Sequence, residues 1–469
     1  MSSIKVFNHH ISGPVALLIL VEATICYLSL FAASTIRFYD MGGIQYAKGE
    51  LLSIQASSAL TSVLVVLVML AMGLYQAQRR EVIWNVLNRI TTAFIVASLV
   101  LSIIFFMFPG MYFGRGLFVL TLFISFVGII IARVIFESWV DKHTMNKKVL
   151  VLGVGGKAEW VNNLRRRADQ RGISIVGFYS PSPEDVHVDE NRVISTELRL
   201  DDYVLENGIE EIIVAMSERR QNFPTKELIN CRLSGVDIIE LPTFLERQMS
   251  RVYVELLDPS WIIFSKGFRQ NILKSISTRT FDVFVSLLML IATMPLLLGG
   301  ALAIMIESKG KGTLFYKQNR VGQGGKTFEL LKFRSMCENA EAGTGAKWAS
   351  ANDSRITHVG KVLRKYRIDE LPQLINILKG EMSLVGPRPE RPEFVSQLSE
   401  KIPFYNERHR VKPGLAGWAQ MRYPYGSTEN DAVEKLKYDL YYVKNSSLIF
   451  NLAILIQTAE IVLWGKGAR

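Results

Sequence analysis

"RIDELPQLINILKGEMSLVGPRPE", residues 367–390, sets an acid pair, Asp369 and Glu370, just after Lys361, Arg364, Lys365 and Arg367, and closes on Pro387-Arg388-Pro389. Pro372 suits only the first turn of a helix, and Leu371, Leu374, Ile375 and Leu378 recur at helical spacing. The run therefore reads as a helix opening near Asp369, with Asp369 as its N-cap. The positive helix end and the nearby arginines are expected to keep that carboxylate ionised. An ionised carboxylate in a cationic site can bind magnesium or attack phosphorus; an ordinary capping acid does neither. Neighbouring helical residues diverge by about 100°, so Asp369 and Glu370 should not share one job. Two prolines hold Arg388 in extended backbone, where a guanidinium grips a phosphate through parallel hydrogen bonds or simply decorates a surface turn.

Upstream, "TLFYKQNRVGQGGKTFELLKFRSM" (313–336) reads as two strands around a glycine-rich turn. Alternate strand residues share a face, so Lys332 and Arg334 should lie about 6.5–7 Å apart, suited to two phosphates or to a charged strand edge. Together, Lys332, Arg334, Arg364, Asp369, Glu370 and Arg388 suggest a site for a diphosphate substrate. No zinc, triad or P-loop pattern competes.

The rest of the chain is membrane-like. It has 469 residues, 49% of them hydrophobic, and a formal charge of +11. That charge fits an anionic partner or positive-inside flanks of membrane spans. Its three cysteines, Cys26, Cys231 and Cys337, follow no metal spacing and fit a reducing compartment. No cleavable signal pattern is expected at the start. Four stretches, about 14–34, 52–75, 91–108 and 116–136, approach the roughly 20 residues of a spanning helix. Glu22 lies in the first. Arg79, Arg80 and Arg89 in one link, and Lys142, Lys147 and Lys148 after the fourth span, place those segments on the cytoplasmic side.

A fifth apolar stretch, 281–307, is flanked by Lys266, Arg269, Lys274 and Arg279 before it and by Lys309, Lys311, Lys317 and Arg320 after it. Positive charge on both sides, with Pro295 near the middle, reads as a re-entrant helix that dips into one leaflet and returns. Thr293 is expected to satisfy a carbonyl that the proline frees. The alternative is a kinked fifth span.

Between these regions, "KKVLVLGVGGKAEWVNNLRRR" (147–167) reads as strand, glycine turn and helix, and three more strand patterns follow. Gly153, Gly155 and Ala158 fit G-x-G-x-x-A, a nucleotide-like turn. Phe178-Tyr179-Ser180 stands where a ribose-binding acid is expected. That favours a structural turn or a regulatory ligand over a redox site.

From about residue 275 the chain resembles the bacterial sugar transferase family, the monotopic polyprenyl-phosphate phosphoglycosyl transferases. The matching runs are "TRTFDVFVSLLML", "FYKQNRVGQGGKTFELLKFRSM", "DSRITHVGKVLRKYRIDELPQLINILKGEMSLVGPRPE", "VKPGLAGWAQ" and "YDLYYVKNSSL". Four spans and an α/β unit resemble its large form, and the closing "VLWGKGAR" resembles the exopolysaccharide-initiating subgroup, the undecaprenyl-phosphate glucose or galactose phosphotransferases. Ser354 departs from the proline usual there. The resemblance implies transfer of a sugar 1-phosphate from a UDP-sugar to undecaprenyl phosphate, releasing UMP, as the first step of exopolysaccharide or O-antigen synthesis. It makes Asp369 the nucleophile and a magnesium ligand, with Glu370 completing the catalytic pair through metal positioning or proton handling. Lys332, Arg334, Arg364 and Arg388 become phosphate and uridine contacts, with Pro387 and Pro389 fixing Arg388.

The expected fold is thus an integral membrane protein. A four-helix transmembrane bundle covers 1–140 and a Rossmann-like α/β middle domain 146–245. A linker covers 246–274, and an α/β phosphoglycosyl transferase domain with a re-entrant membrane helix covers 275–469. The expected location is the bacterial inner membrane, with the catalytic domain facing the cytoplasm. The run 406–426 is expected as a lid, a headgroup contact or a solvent-exposed loop, and 446–464 as an interfacial helix or a core helix. Partners are the UDP-sugar, undecaprenyl phosphate and the bilayer, with a homodimer expected and no nucleic acid. The competing functions are a membrane-anchored assembly or regulatory protein of polysaccharide export and a nucleotide-sugar-modifying enzyme using the Rossmann-like domain.

Overall fold

The computed structural model describes residues 4–6, 9–11, 13–38, 51–72, 74–75, 83–139, 147–164, 172–181, 185–194, 199–216, 223–257, 267–268, 272–337, 355–423, 426 and 428–463. Arg79, Arg80, Lys142, Lys266, Arg269, Ser354 and residues 464–469 lie outside them. The chain divides into two compact units, Met1–Phe244 and Leu245–Arg469.

The first unit opens with a short antiparallel hairpin, β1 (Ile4–Val6) and β2 (His9–Ile11). Four apolar helices follow: α1 (Gly13–Arg37), α2 (Leu51–Ala71), α3 (Ile83–Met107) and α4 (Arg115–Trp139). A 25-residue helix such as α1 is about 37 Å long, more than the roughly 30 Å of a hydrocarbon core. α1, α3 and α4 are long and apolar enough to cross a membrane, whereas the apolar part of α2, Ile54–Leu70, is shorter. Leu20, Ile103, Phe106 and Phe123 are exposed on these helices. Glu22 is fully buried; Arg133 Nε lies 2.7 Å from its Oε1, and the Tyr75 hydroxyl donates to its Oε2.

The same unit holds β3 (Lys147–Leu152), α5 (Gly156–Asn162), β4 (Ile173–Tyr179), β5 (Val193–Ile194), α6 (Leu200–Glu206), β6 (Glu211–Val214), α7 (Thr225–Leu233) and β7 (Asp237–Glu240). The five strands β3–β7 are parallel, in the order β5-β4-β3-β6-β7. Parallel strands covered on both faces read as unbroken apolar runs, and Val149 to Leu152 are all fully buried. The unit boundary falls inside α8 (Leu241–Met249).

In the second unit, residues 246–257, expected as linker, pack instead into the body. Glu246 accepts from Lys444 Nζ at 2.6 Å and from Asn445 Nδ2 at 3.0 Å. Val252 and Val254 join a core cluster with Leu436 and Leu440.

α9 (Ile272–Glu307) is a 36-residue helix containing Pro295, about 54 Å long if straight. By length and composition it too could cross a membrane. Both of its ends bond to the same α/β body. Near the start, Arg279 donates to the Ile377 and Leu378 carbonyls, each at 2.6 Å, and Asp282 accepts the Leu384 N–H. At the other end, Glu307 accepts the Val359 N–H at 3.1 Å, and Ile304 packs with Phe333 and Leu363. Phe284, Leu287, Ile291, Leu298 and Leu302 are exposed. Thr293 does not play the part expected of it: its hydroxyl donates to Met289 O at 2.7 Å, whereas Pro295 frees the carbonyl four residues before it, that of Ile291.

The body comprises the antiparallel hairpin β8 (Phe315–Val321) and β9 (Thr327–Phe333), then α10 (His358–Lys365), α11 (Gln373–Lys379), β10 (Ser383–Val385), α12 (Pro392–Lys401), β11 (Gly414–Ala416), α13 (Trp418–Arg422), α14 (Glu429–Asn445) and α15 (Leu448–Leu463). β10 and β11 pair in parallel. Much of the expected lid or loop is therefore core: Arg408, Ala416 and Trp418 are buried. So is the described face of α15, where Ile454 is fully buried and Asn451 accepts from the buried Tyr442 hydroxyl.

Candidate active site

The acid pair is buried where a short turn crosses β9. It does not cap a helix as expected. Asp369 and Glu370 lie in a 3₁₀ turn, Ile368–Glu370, and α11 opens only at Gln373, after Pro372. Arg367 makes the corner with φ of +54°, a left-handed conformation that costs a non-glycine residue about 1–3 kcal/mol. The fully buried Asn376 pins α11 to β9, accepting from Leu331 N–H at 3.0 Å and donating to Glu329 O at 2.7 Å. That clamp sets Lys332, the next residue of β9, beside the pair.

The two carboxylates are treated differently. Glu370 Oε1 lies 2.9 Å from Arg388 Nη2 and 3.2 Å from Lys332 Nζ; its Oε2 lies 3.5 Å from Arg367 Nη1. Burial would raise its pKa, but Arg388, Lys332 and Arg367 outweigh burial and hold it well below the usual glutamate range. No hydrogen bond or ion pair reaches the Asp369 carboxylate among the described residues. Burial, then the charge of Glu370, pushes Asp369 up to about 6, against the pull of Lys332, Arg364 and Arg388. Burial and the Glu370 charge thus outweigh the pull of the cations on Asp369, while Lys332 and Arg388 bond to its neighbour. Above pH 6 Asp369 is an ionised, weakly solvated carboxylate, a better nucleophile than a capping acid.

Of the expected contacts, Lys332 and Arg388 reach the pair and Arg364 acts on it electrostatically. Arg334 turns elsewhere, donating to Lys311 O at 3.2 Å. Pro387 and Pro389 flank Arg388, and their carbonyls accept from Gly414 N–H and from Arg320 Nη1. Sequence reasoning missed Arg367 as a ligand of Glu370, and also Asn376. A polar residue on the buried face of an otherwise apolar helix was the available signal for Asn376.

Outside this site, Pro295 lies within α9. The glycine turn has structural reasons. Gly153 has φ of +120°, and a Cβ there would come within 2.9 Å of Ala215 backbone atoms. Gly155 precedes α5, and Ala158 is fully buried within that helix.

Residues 273–465, which contain this whole arrangement, match the family described as bacterial sugar transferase; residues 70–242 match a family described as CoA-binding domain. The chain is 40% identical over 242 residues to the UDP-N-acetylgalactosamine-undecaprenyl-phosphate N-acetylgalactosaminephosphotransferase of Aeromonas hydrophila, covering 52% of this chain and 56% of that one. It is 28% identical over 330 residues to the UDP-glucose:undecaprenyl-phosphate glucose-1-phosphate transferase of Xanthomonas campestris, covering 69% and 68%. It is 30% identical over 358 residues to the undecaprenyl-phosphate galactose phosphotransferase of Salmonella typhimurium, covering 70% and 71%. With the acid pair and its cations lying inside the matched segment, the chain belongs to the bacterial sugar transferase family.

Proposed function

We propose that the protein transfers a sugar 1-phosphate from a UDP-linked hexose or N-acetylhexosamine to undecaprenyl phosphate, the first step of exopolysaccharide or O-antigen assembly. The observation that carries this reading is the division of labour in the acid pair. Glu370 is saturated by cations, while Asp369 sits in the same field with no partner of its own.

In the first step an Asp369 oxygen attacks the phosphorus that bears the sugar, and the bond to the bridging oxygen breaks, releasing UMP. In the second, an oxygen of undecaprenyl phosphate attacks the same phosphorus. The aspartyl bond breaks, the lipid-diphosphate-sugar leaves, and the Asp369 carboxylate is restored. Lys332, Arg364 and Arg388 supply positive charge where phosphate oxygens gather. Glu370, held ionised, orients two of those cations rather than carrying a proton.

Magnesium, when bound, would neutralise diphosphate charge. Asp369 is the carboxylate left to hold it, and one carboxylate plus substrate phosphates is a common magnesium arrangement.

The membrane reading is supported by α9. A helix of 36 residues that bonds to one body at both ends fits a re-entrant hairpin bent at Pro295, which would hold the site at the cytoplasmic surface of the inner membrane. Labelling of cysteines placed at Lys311 and Arg334 from the outside would refute it. For the middle domain, the parallel sheet order fits a Rossmann-like fold, and the packing reasons for its glycines favour a structural or regulatory role.

UMP release tests the function. Purified protein given a panel of UDP-sugars, undecaprenyl phosphate and magnesium should release UMP from one preferred donor, and Asp369→Asn should release about 10³-fold less or lower still. Equal release by that variant would sink the reading.

A further inference from the structure

The Pro387–Glu390 run has no N–H at its two prolines, yet all four of its carbonyls find donors. Pro387 O accepts from Gly414 N–H and Glu390 O from Val321 N–H, each at 2.9 Å. Pro389 O accepts from Arg320 Nη1 at 3.1 Å, and Arg388 O from Arg408 Nη2 at 3.0 Å. The Arg388 carbonyl matters most. The prolines fix their own φ, and Pro389 biases Arg388 towards extended ψ without setting it. A hydrogen bond to that carbonyl removes the remaining freedom and so aims the guanidinium that meets Glu370.

Arg408 is an expensive residue to use for this. Its side chain is 6% exposed, and its Nη2 lies 2.7 Å from Oδ2 of Asp439, itself 2% exposed. Its Nη1 donates to the Tyr405 hydroxyl at 2.8 Å. A buried ion pair seldom outperforms an apolar pair of the same volume in stabilising a fold. Here one end of the pair is spent on the backbone of an active-site residue.

We infer that Arg408, held by the buried carboxylate of Asp439, is a positioning residue for Arg388 and acts on phosphosugar transfer only through it. Neither Arg408 nor Asp439 contacts Asp369 or Glu370 in the described structure. The inference rests on the proposed transferase reading.

A mutant cycle on the purified full-length protein tests it, with UMP release as the readout and melting temperature as the check on folding. Arg408→Lys keeps the charge but loses the fork that serves Asp439, Tyr405 and the Arg388 carbonyl together. It should lower kcat by about tenfold or more in the wild-type background and by less than about twofold in an Arg388→Ala background, where nothing is left to aim. Asp439→Asn should repeat the pattern, and its cycle decides the matter if Arg408→Lys does not fold. A wild-type rate for a folded Arg408→Lys, or the same loss with and without Arg388, would overturn the inference. So would failure of both variants to fold, which would make the pair a purely structural element. If the wild-type protein itself releases no UMP, the transferase reading falls and this inference with it.

Discussion

Glu22 in the helix bundle and Glu370 in the sugar transferase segment are both buried carboxylates facing an arginine, at 2.7 Å from Arg133 and 2.9 Å from Arg388. The first network closes on itself: Arg133 and Tyr75 take up Glu22, and Arg133 also donates to Leu74 O. The second is left open, because a second acid, Asp369, stands beside it and shares the cations without bonding to them. A closed network joins helices; an open one, on the proposed function, holds charge ready for a substrate.

Removing Asp369 should produce the largest effect. Asp369→Asn is expected to cut UMP release by about 10³-fold or more while leaving the fold intact. The activity of the wild-type protein should rise with pH through about 6, the value to which burial and Glu370 push Asp369. The effect on stability has the opposite sense. A carboxyl whose folded pKa is raised stabilises the fold below the ordinary aspartate range, and that contribution is lost as pH rises through about 6. Asp369→Asn escapes the loss, so at pH 8 it should be more stable than wild type by up to about 3 kcal/mol, with no gain at pH 4. Thermal melts at the two pH values check this.

Glu370→Gln comes next. Lys332, Arg367 and Arg388 lose their common anchor, and transfer should fall by about 10²-fold. The cations are partly solvated, so the stability cost is held to about 1–3 kcal/mol. The Glu370 contribution has the usual sign for a depressed acid: present at neutral pH and lost as pH falls below the ordinary glutamate range.

Glu22→Gln separates the two regions. It strands Arg133 inside the bundle and should destabilise it by about 3–5 kcal/mol, yet transfer per folded molecule should stay within about twofold of wild type. A large loss of turnover would mean that the bundle network is not merely structural. Gly153→Ala should have the smallest effect. Its positive φ and the nearby Ala215 backbone predict about 1–3 kcal/mol lost from the middle domain, with transfer unchanged.

What could be read from sequence was local. Apolar length gave the helices, strand–turn–strand patterning gave β8 and β9, and the unbroken apolar runs gave the parallel sheet. The acid pair was legible as chemistry, but its division of roles was not, because Lys332 and Arg388 reach Glu370 from positions distant in the chain. The helix start was misplaced because Arg367 adopts a left-handed corner that no propensity favours. The run 406–426 read as a loop because its glycines and cations hide a parallel pairing, β10 with β11, and a buried arginine whose partner, Asp439, lies on α14.

The most direct test of the central claim is a mass measurement. The purified protein is incubated with its preferred UDP-sugar and magnesium without undecaprenyl phosphate, then digested and mapped. The account predicts a phosphosugar adduct on the peptide carrying Asp369, formed with UMP release and discharged when undecaprenyl phosphate is added. UMP release with no adduct there, or an adduct on another residue that discharges at the rate of turnover, would contradict it.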